Sequence, residues 1–183
     1  MRIQELLTTD CYILCICEGL SELVTINMLL DNDMLVFKRD QLISGEPVKR
    51  ESVTSIQDKY LNYSFDKPLY ILRIIDSKNE KFKLSKLYID RFGSSIINVQ
   101  TCPEIEILLI ISSDNYSKYT NQFKSKMKPS EYCKQVLGMK NVKQKSCFES
   151  VFADINKLKE AINKYARYTK KSFKFYTLND LLK

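Results

Sequence analysis

Histidine is absent from all 183 residues. That absence removes His-based catalytic triads, histidine general bases and zinc sites built on imidazole. Glycine and proline number four each, too few for linkers or low-complexity tracts, and no internal repeat is visible. The six cysteines (Cys11, Cys15, Cys17, Cys102, Cys133 and Cys147) form no C-x-x-C pair, so a structural zinc cluster is not expected. They read as small buried hydrophobes of a reducing compartment. The longest apolar runs, 11–17 and 107–111, fall far short of the roughly 20 residues that a bilayer span requires. A basic stretch followed by an apolar secretory core is also missing at the N-terminus. A cytoplasmic protein with no membrane partner is expected. Neither a P-loop nor a Rossmann glycine fingerprint is present, which disfavours a small-molecule phosphotransferase.

What is present is charge, unevenly placed. The net charge is +7, yet residues 1–117 carry 13 basic and 17 acidic side chains. Residues 118–145 hold eight lysines against Glu131 alone, and residues 146–183 hold eight basic and four acidic groups. A mildly acidic front followed by a basic back points to a phosphate-bearing partner.

The hydrophobic pattern also divides the chain, somewhat earlier, after residue 102. Residues 11–17 (Cys-Tyr-Ile-Leu-Cys-Ile-Cys) and 69–75 (Leu-Tyr-Ile-Leu-Arg-Ile-Ile) are near-continuous apolar runs of strand length, the pattern of strands buried on both faces. An apolar helix is predicted from Leu20 to Asp31, a weaker one over 51–63, and another from Glu80 to a cap at Gly93. Short strands are expected at 34–37 and 95–99. After Pro103 the spacing turns helical, with helices expected over 104–120, from Pro129 to near Gly138, and over 147–169. The fold class is therefore α/β: a small, Rossmann-like parallel-sheet core over 1–102 and a basic helical extension over 103–183 that shares its core.

In open parallel sheets ligands sit outside the carboxyl ends of the strands. Glu18 follows the first strand and Asp76 a later one. If the two strands are neighbours, both carboxylates reach one hard divalent cation, Mg²⁺ or Mn²⁺, which takes a few carboxylates plus water and phosphate oxygens. Glu22 lies one helical turn beyond Glu18. The same positions also suit plain helix capping and helix-dipole roles.

The segment Cys15-Ile-Cys-Glu18-Gly19-Leu-Ser21-Glu22 resembles the first motif of TOPRIM domains, in the E-G-x-S/T-E form of the OLD-type and RloB-like nucleases of bacterial anti-phage defence. The segment Thr101-Cys-Pro-Glu104-Ile-Glu106-Ile-Leu-Leu109 is similar to the S-N-P-x-F-E-x-W-L-L stretch of RloB-like proteins, with Glu106 at the glutamate that opens a helix. The resemblance implies a TOPRIM-like parallel sheet, Mg²⁺-dependent phosphodiester cleavage of RNA or DNA (tRNA among the candidates), and an ATPase subunit encoded in the same operon. It assigns Glu18 and Asp76 to the metal. The family's D-x-D reads here Asp76-Ser77-Lys78-Asn79-Glu80. Lys78 thus stands in for the second aspartate as a fixed charge on phosphate, or Glu80 supplies the missing oxygen. Leu108 replaces the family's tryptophan. Glu22 and Glu106 complete the site or orient water.

The lysine segment interleaves cations and aromatics. Lys118, Lys124, Lys126 and Lys128 are candidates for phosphates and Tyr119 for a stacked base; a solvated lysine face is the plain alternative. Two functions follow: a Mg²⁺-dependent nuclease, or a catalytically silent domain of the same fold that binds nucleic acid or a protein partner. The sequence leaves homo-oligomerisation open.

Overall fold

The computed structural model describes residues 3–77, 82–169 and 176–183. Its centre is the first apolar run, which forms strand β1 (Tyr12–Cys17). Side chains alternate across a strand, and here both faces are apolar. Ile13, Cys15 and Cys17 enter one hydrophobic cluster, Leu14 and Ile16 the other. The second run forms β3 (Leu69–Ile75) and divides likewise, Leu72 and Ile74 to the first cluster and Leu69 and Ile71 to the second. The two strands pair in parallel from Tyr12 opposite Leu69 to Cys17 opposite Ile74. β4 (Ile96–Gln100) continues the sheet beside β3. Two-residue strands close both edges: β2 (Val48–Lys49) beside β1 and β5 (Tyr176–Thr177) beside β4. The sheet is parallel throughout, in the order β2-β1-β3-β4-β5.

Helices cover both faces, as buried parallel strands require. On the first lie α1 (Ile3–Leu7) and α2 (Leu20–Asp31). The helices of the second half join them: α5 (Ile107–Ser112), α6 (Tyr116–Gln122), α7 (Pro129–Gln135), α8 (Lys145–Val151) and α9 (Ile155–Tyr168). The smaller face is covered by α3 (Val53–Ile56), which runs into a π-helical turn at Gln57–Leu61, and by α4 (Lys86–Phe92). The second half does not stand apart from the first. Its final segment supplies β5 and a 3₁₀ turn at Leu178–Leu181, and Leu178, Leu181 and Leu182 are buried in the main cluster. No helix among the described residues is long and apolar enough to cross a membrane.

Four expected elements differ, each for a local reason. Residues 34–37 form no strand; Leu35 makes only an isolated antiparallel bridge to Leu182. Of the helix expected from Glu80, Glu80 and Lys81 lie outside the described residues; residues 82–85 are not helical, Phe82 and Leu84 using extended, two-residue spacing, and the helix begins at Lys86. Phe82 lies against the Arg73 guanidinium (4.4 Å), while Leu84 is buried and the Ser85 N–H donates to Gln57. The helix expected over 104–120 is two helices separated by Asp114, whose φ of 53° is left-handed, and Asn115, whose amide donates to the Ser113 carbonyl. The helix expected over 147–169 breaks where Asp154 caps α9, accepting from the Asn156 N–H at 3.0 Å.

Because the C-terminal turn shares the core, Leu181→Ala should cost about 2–5 kcal/mol, as Ile13→Ala should, since both side chains are fully buried. Urea denaturation followed by circular dichroism and by tyrosine fluorescence should show one coincident transition in each variant. A separate early transition in Leu181→Ala would contradict a shared core.

Candidate functional site

A strand order that runs outward on both sides of β1 and β3 leaves a crevice between their carboxyl ends, because the following chains depart to opposite faces. The chain after β1 enters α2 on the main face, and the chain after β3 leads toward α4 on the other. Glu18 and Asp76 are the first residues beyond those two strands. Glu18 N–H donates to the Ile74 carbonyl at 2.9 Å, extending the β1–β3 ladder by one bond. Its carboxylate then accepts from the Asp76 N–H at 2.8 Å through Oε2 and from Arg50 Nη1 at 3.0 Å through Oε1. The Asp76 carboxyl lies close enough to feel the Glu18 charge, and its pKa is raised to about 6, by burial first and then by that charge.

Two more carboxylates close the floor. Glu22, in the first turn of α2, is 5% exposed, and its pKa is raised to about 7 by burial, with the charges of Glu106, Asp76 and Glu18 adding to it. The N-terminus of α2 favours negative charge at this position. Gly19 caps α2 with an extended backbone (φ −132°), and its value here is space: a methyl group at 19 would stand 2.8 Å from Glu22 Oε2 and displace that carboxylate. Glu106 caps α5, is buried, and accepts from the Ser21 hydroxyl at 2.9 Å; burial raises its pKa. Ser21 thus ties the start of α2 to the start of α5.

The chain from β4 completes the wall. Thr101 N–H donates to the Ile75 carbonyl at 2.8 Å, and the Cys102 thiol donates to the Asp76 carbonyl at 2.6 Å. The Cys102–Pro103 peptide is cis. Buried Glu104 accepts from the Ser130 N–H at 3.0 Å, and Lys143 Nζ lies 3.6 Å from its other oxygen. The Lys143 charge also acts on Asp76 and Glu106, lowering both pKa values against the dominant effect of burial. A polar cavity of about 120 Å³, lined by Glu18, Arg50, Glu51, Ser52 and Arg73 among others, opens on the α3 side of Glu18.

Of the expected site residues, Glu18, Glu22, Asp76 and Glu106 therefore meet at one mouth of the sheet. Lys78 and Glu80 lie outside the described residues. Glu104, Lys143, Ser21 and Arg50 belong to the site without having been singled out. Glu104 and Ser21 sit inside the two quoted segments, but Lys143 and Arg50 carried no local signal. In the lysine segment, Lys118, Lys124, Lys126 and Lys128 are exposed. Tyr119 is not a stacking residue. It is 2% exposed, its hydroxyl donates to the Met127 carbonyl, and its ring packs edge-on against Tyr132. Lying one turn after Tyr116 on α6, it points into the core and holds the lysine segment in place.

Could these residues hold a hard cation? The donors are all oxygens, and Glu18 and Asp76 are in mutual reach, which suits Mg²⁺ or Mn²⁺. Among the described residues no three acidic or cysteine side chains gather tightly enough to hold an ion by themselves. That arrangement is compatible with Mg²⁺, which is commonly held by one or two carboxylates, waters and substrate phosphates. Comparison with protein-family models, curated proteins and solved structures found no match.

Glu22 has a higher pKa folded than unfolded, so its protonated form favours the folded state. This contribution is full below the ordinary value of 4.5 and is lost as pH rises through about 7. Stability should therefore fall by on the order of 3 kcal/mol between about pH 5 and pH 8. Glu22→Gln should flatten this dependence and be the more stable protein at pH 8, as measured by urea midpoints across the range.

Proposed function

We propose that this chain is a divalent-metal-dependent phosphodiesterase acting on nucleic acid, in the manner of TOPRIM nucleases. The observation that carries the reading is the meeting of Glu18 and Asp76 at the β1–β3 switch point, with Glu22 and Glu106 behind them. It is supported by the order in which the chain presents them: Glu18-Gly19 after one strand, Asp76 after its neighbour, and Glu106 at the helix following the next.

Glu18 and Asp76 are the residues that would hold Mg²⁺ or Mn²⁺. The bound ion would neutralise phosphate charge and make a coordinated water more acidic. The other groups have roles set by their surroundings. Glu22, with its pKa near 7, is suited to exchange a proton at neutral pH. Ser21 orients Glu106, and Lys143 places a positive charge over the acidic rim, where a phosphate would arrive. An anti-phage effector role and a companion ATPase rest only on the resemblance of the Glu18 and Glu106 segments.

A second reading, a silent binding domain of the same fold, is favoured by one specific observation. Both Glu18 oxygens are engaged, by Arg50 and by the Asp76 N–H.

Incubation of the purified protein with total tRNA, mRNA and plasmid DNA in Mg²⁺, Mn²⁺ or EDTA separates the two. Metal-dependent cleavage is expected from the wild type, with losses of about a hundredfold or more in Glu18→Ala and in Asp76→Ala. Millimolar Mg²⁺ should also raise the melting temperature at pH 8 in the wild type and not in Glu18→Ala. Cleavage that survives EDTA or both substitutions would sink the metal reading. Absence of cleavage on every substrate, with no Mg²⁺ effect on melting, would leave the binding domain.

A further inference from the structure

Beside the acidic mouth lies a pair of tyrosines that the hydrophobic core only half absorbs. Tyr116 opens α6 and Tyr168 closes α9, and their rings stack with centroids 4.4 Å apart and planes 10° from parallel. Tyr116 is half-buried against the main cluster, whereas Tyr168 remains 53% exposed. The inner ring fixes the outer one in orientation, so the pair presents a held aromatic surface to solvent. A lone exposed tyrosine would have to give up rotamer freedom on binding; this one is already placed.

The pair is joined to the site through one turn of helix. Tyr165, three residues before Tyr168 on the same side of α9, donates its hydroxyl to the Cys102 carbonyl. Cys102 in turn bonds the Asp76 carbonyl. Tyr168 therefore stands about one helical pitch, roughly 5 Å along α9, from a residue that touches the wall of the mouth. The same two helices carry exposed cations: Lys164 lies one turn earlier on the face that Tyr168 shares, Arg167 precedes Tyr168 in the chain, and Lys118 lies on α6.

An aromatic face among spaced cations is the arrangement that takes an unpaired base with phosphates on either side. A duplex keeps its base faces stacked inside and offers such a surface its phosphates only. We infer that Tyr168, backed by Tyr116, is a base-stacking platform that selects single-stranded nucleic acid over duplex and leads it toward Glu18 and Asp76. The inference rests on the reading of this chain as one that acts on nucleic acid, but not on its cleaving any.

The test is fluorescence anisotropy in EDTA with short labelled oligo(U) and oligo(dT), a duplex of equal length, and a strand carrying abasic positions. The wild type should bind the single strands more tightly than the duplex, and the abasic strand should lose that advantage. Tyr168→Ala should weaken single-strand binding about tenfold while leaving duplex and abasic binding unchanged. Tyr168→Phe, which keeps the ring, should stay within about twofold of wild type. Circular dichroism melts check that both variants fold.

Equal single-strand binding by wild type and Tyr168→Ala would overturn the platform. So would a wild-type preference for duplex, or no wild-type binding to single strands at all. The cleavage assay fails independently. A protein that cleaves, yet is indifferent to Tyr168, loses the platform and keeps the nuclease; one that grips single strands through Tyr168 and cleaves nothing does the reverse.

Discussion

The parallel pairing of β1 with β3 is the constraint on which the rest of the structure depends. Its register, with Cys17 opposite Ile74, places the Glu18 N–H on the Ile74 carbonyl and the Asp76 N–H on the Glu18 carboxylate. A slip of one residue would send Ile13, Cys15 and Cys17 to the smaller face and Leu14 and Ile16 to the larger. Two differently shaped layers of helix, one with α2 and α5–α9 and one with α3 and α4, penalise that exchange. Packing on both faces thus holds two carboxylates together that would otherwise repel.

Gathering acidic groups at a half-dry mouth is unfavourable, and the surrounding chain offsets it by several routes. Arg50 and a backbone N–H serve Glu18, Ser21 serves Glu106, and Lys143 with the Ser130 N–H serves Glu104. Glu22 is supported by a backbone hydrogen bond and by Thr101, whose Oγ1 lies 3.5 Å away, at the limit of a hydrogen bond. Burial nonetheless dominates and raises its pKa to about 7. A buried carboxyl group with a strongly raised pKa in a crevice is a common mark of a functional site. Beyond Arg50 and Lys143, positive charge lies on exposed lysines of the helical half, so an acidic mouth is set beside a basic exterior. Under the proposed function, that separation would hold a polyanion's backbone outside and bring its reacting phosphate to the mouth.

How much of this could be read along the chain depended on how local each signal was. The runs at 11–17 and 69–75 are apolar on both faces, and that pattern is strand-like with no knowledge of neighbours. Glu18-Gly19 and Asp76 stood out because polar residues ended those runs abruptly. Tyr119 misled because its spacing among lysines resembles an exposed stacking residue. Only the packing of α6 against α7 turns it inward against Tyr132. The breaks at Asp114 and Asp154 were hidden because apolar spacing carried across them.

The sequence by itself determined the two central strands, the acidic residues at their ends, the basic second half and the exclusion of histidine chemistry. Each of these follows from residue type and short-range period. The tertiary structure alone decided that β1 and β3 are neighbours, and that the two-residue strands β2 and β5 close the edges. It alone brought Arg50 and Lys143 to the carboxylates and stacked Tyr168 on Tyr116 across 52 residues of chain. Those contacts join residues far apart in sequence, and no local preference encodes them. They exist because burying both faces of one sheet leaves the chain few other ways to close.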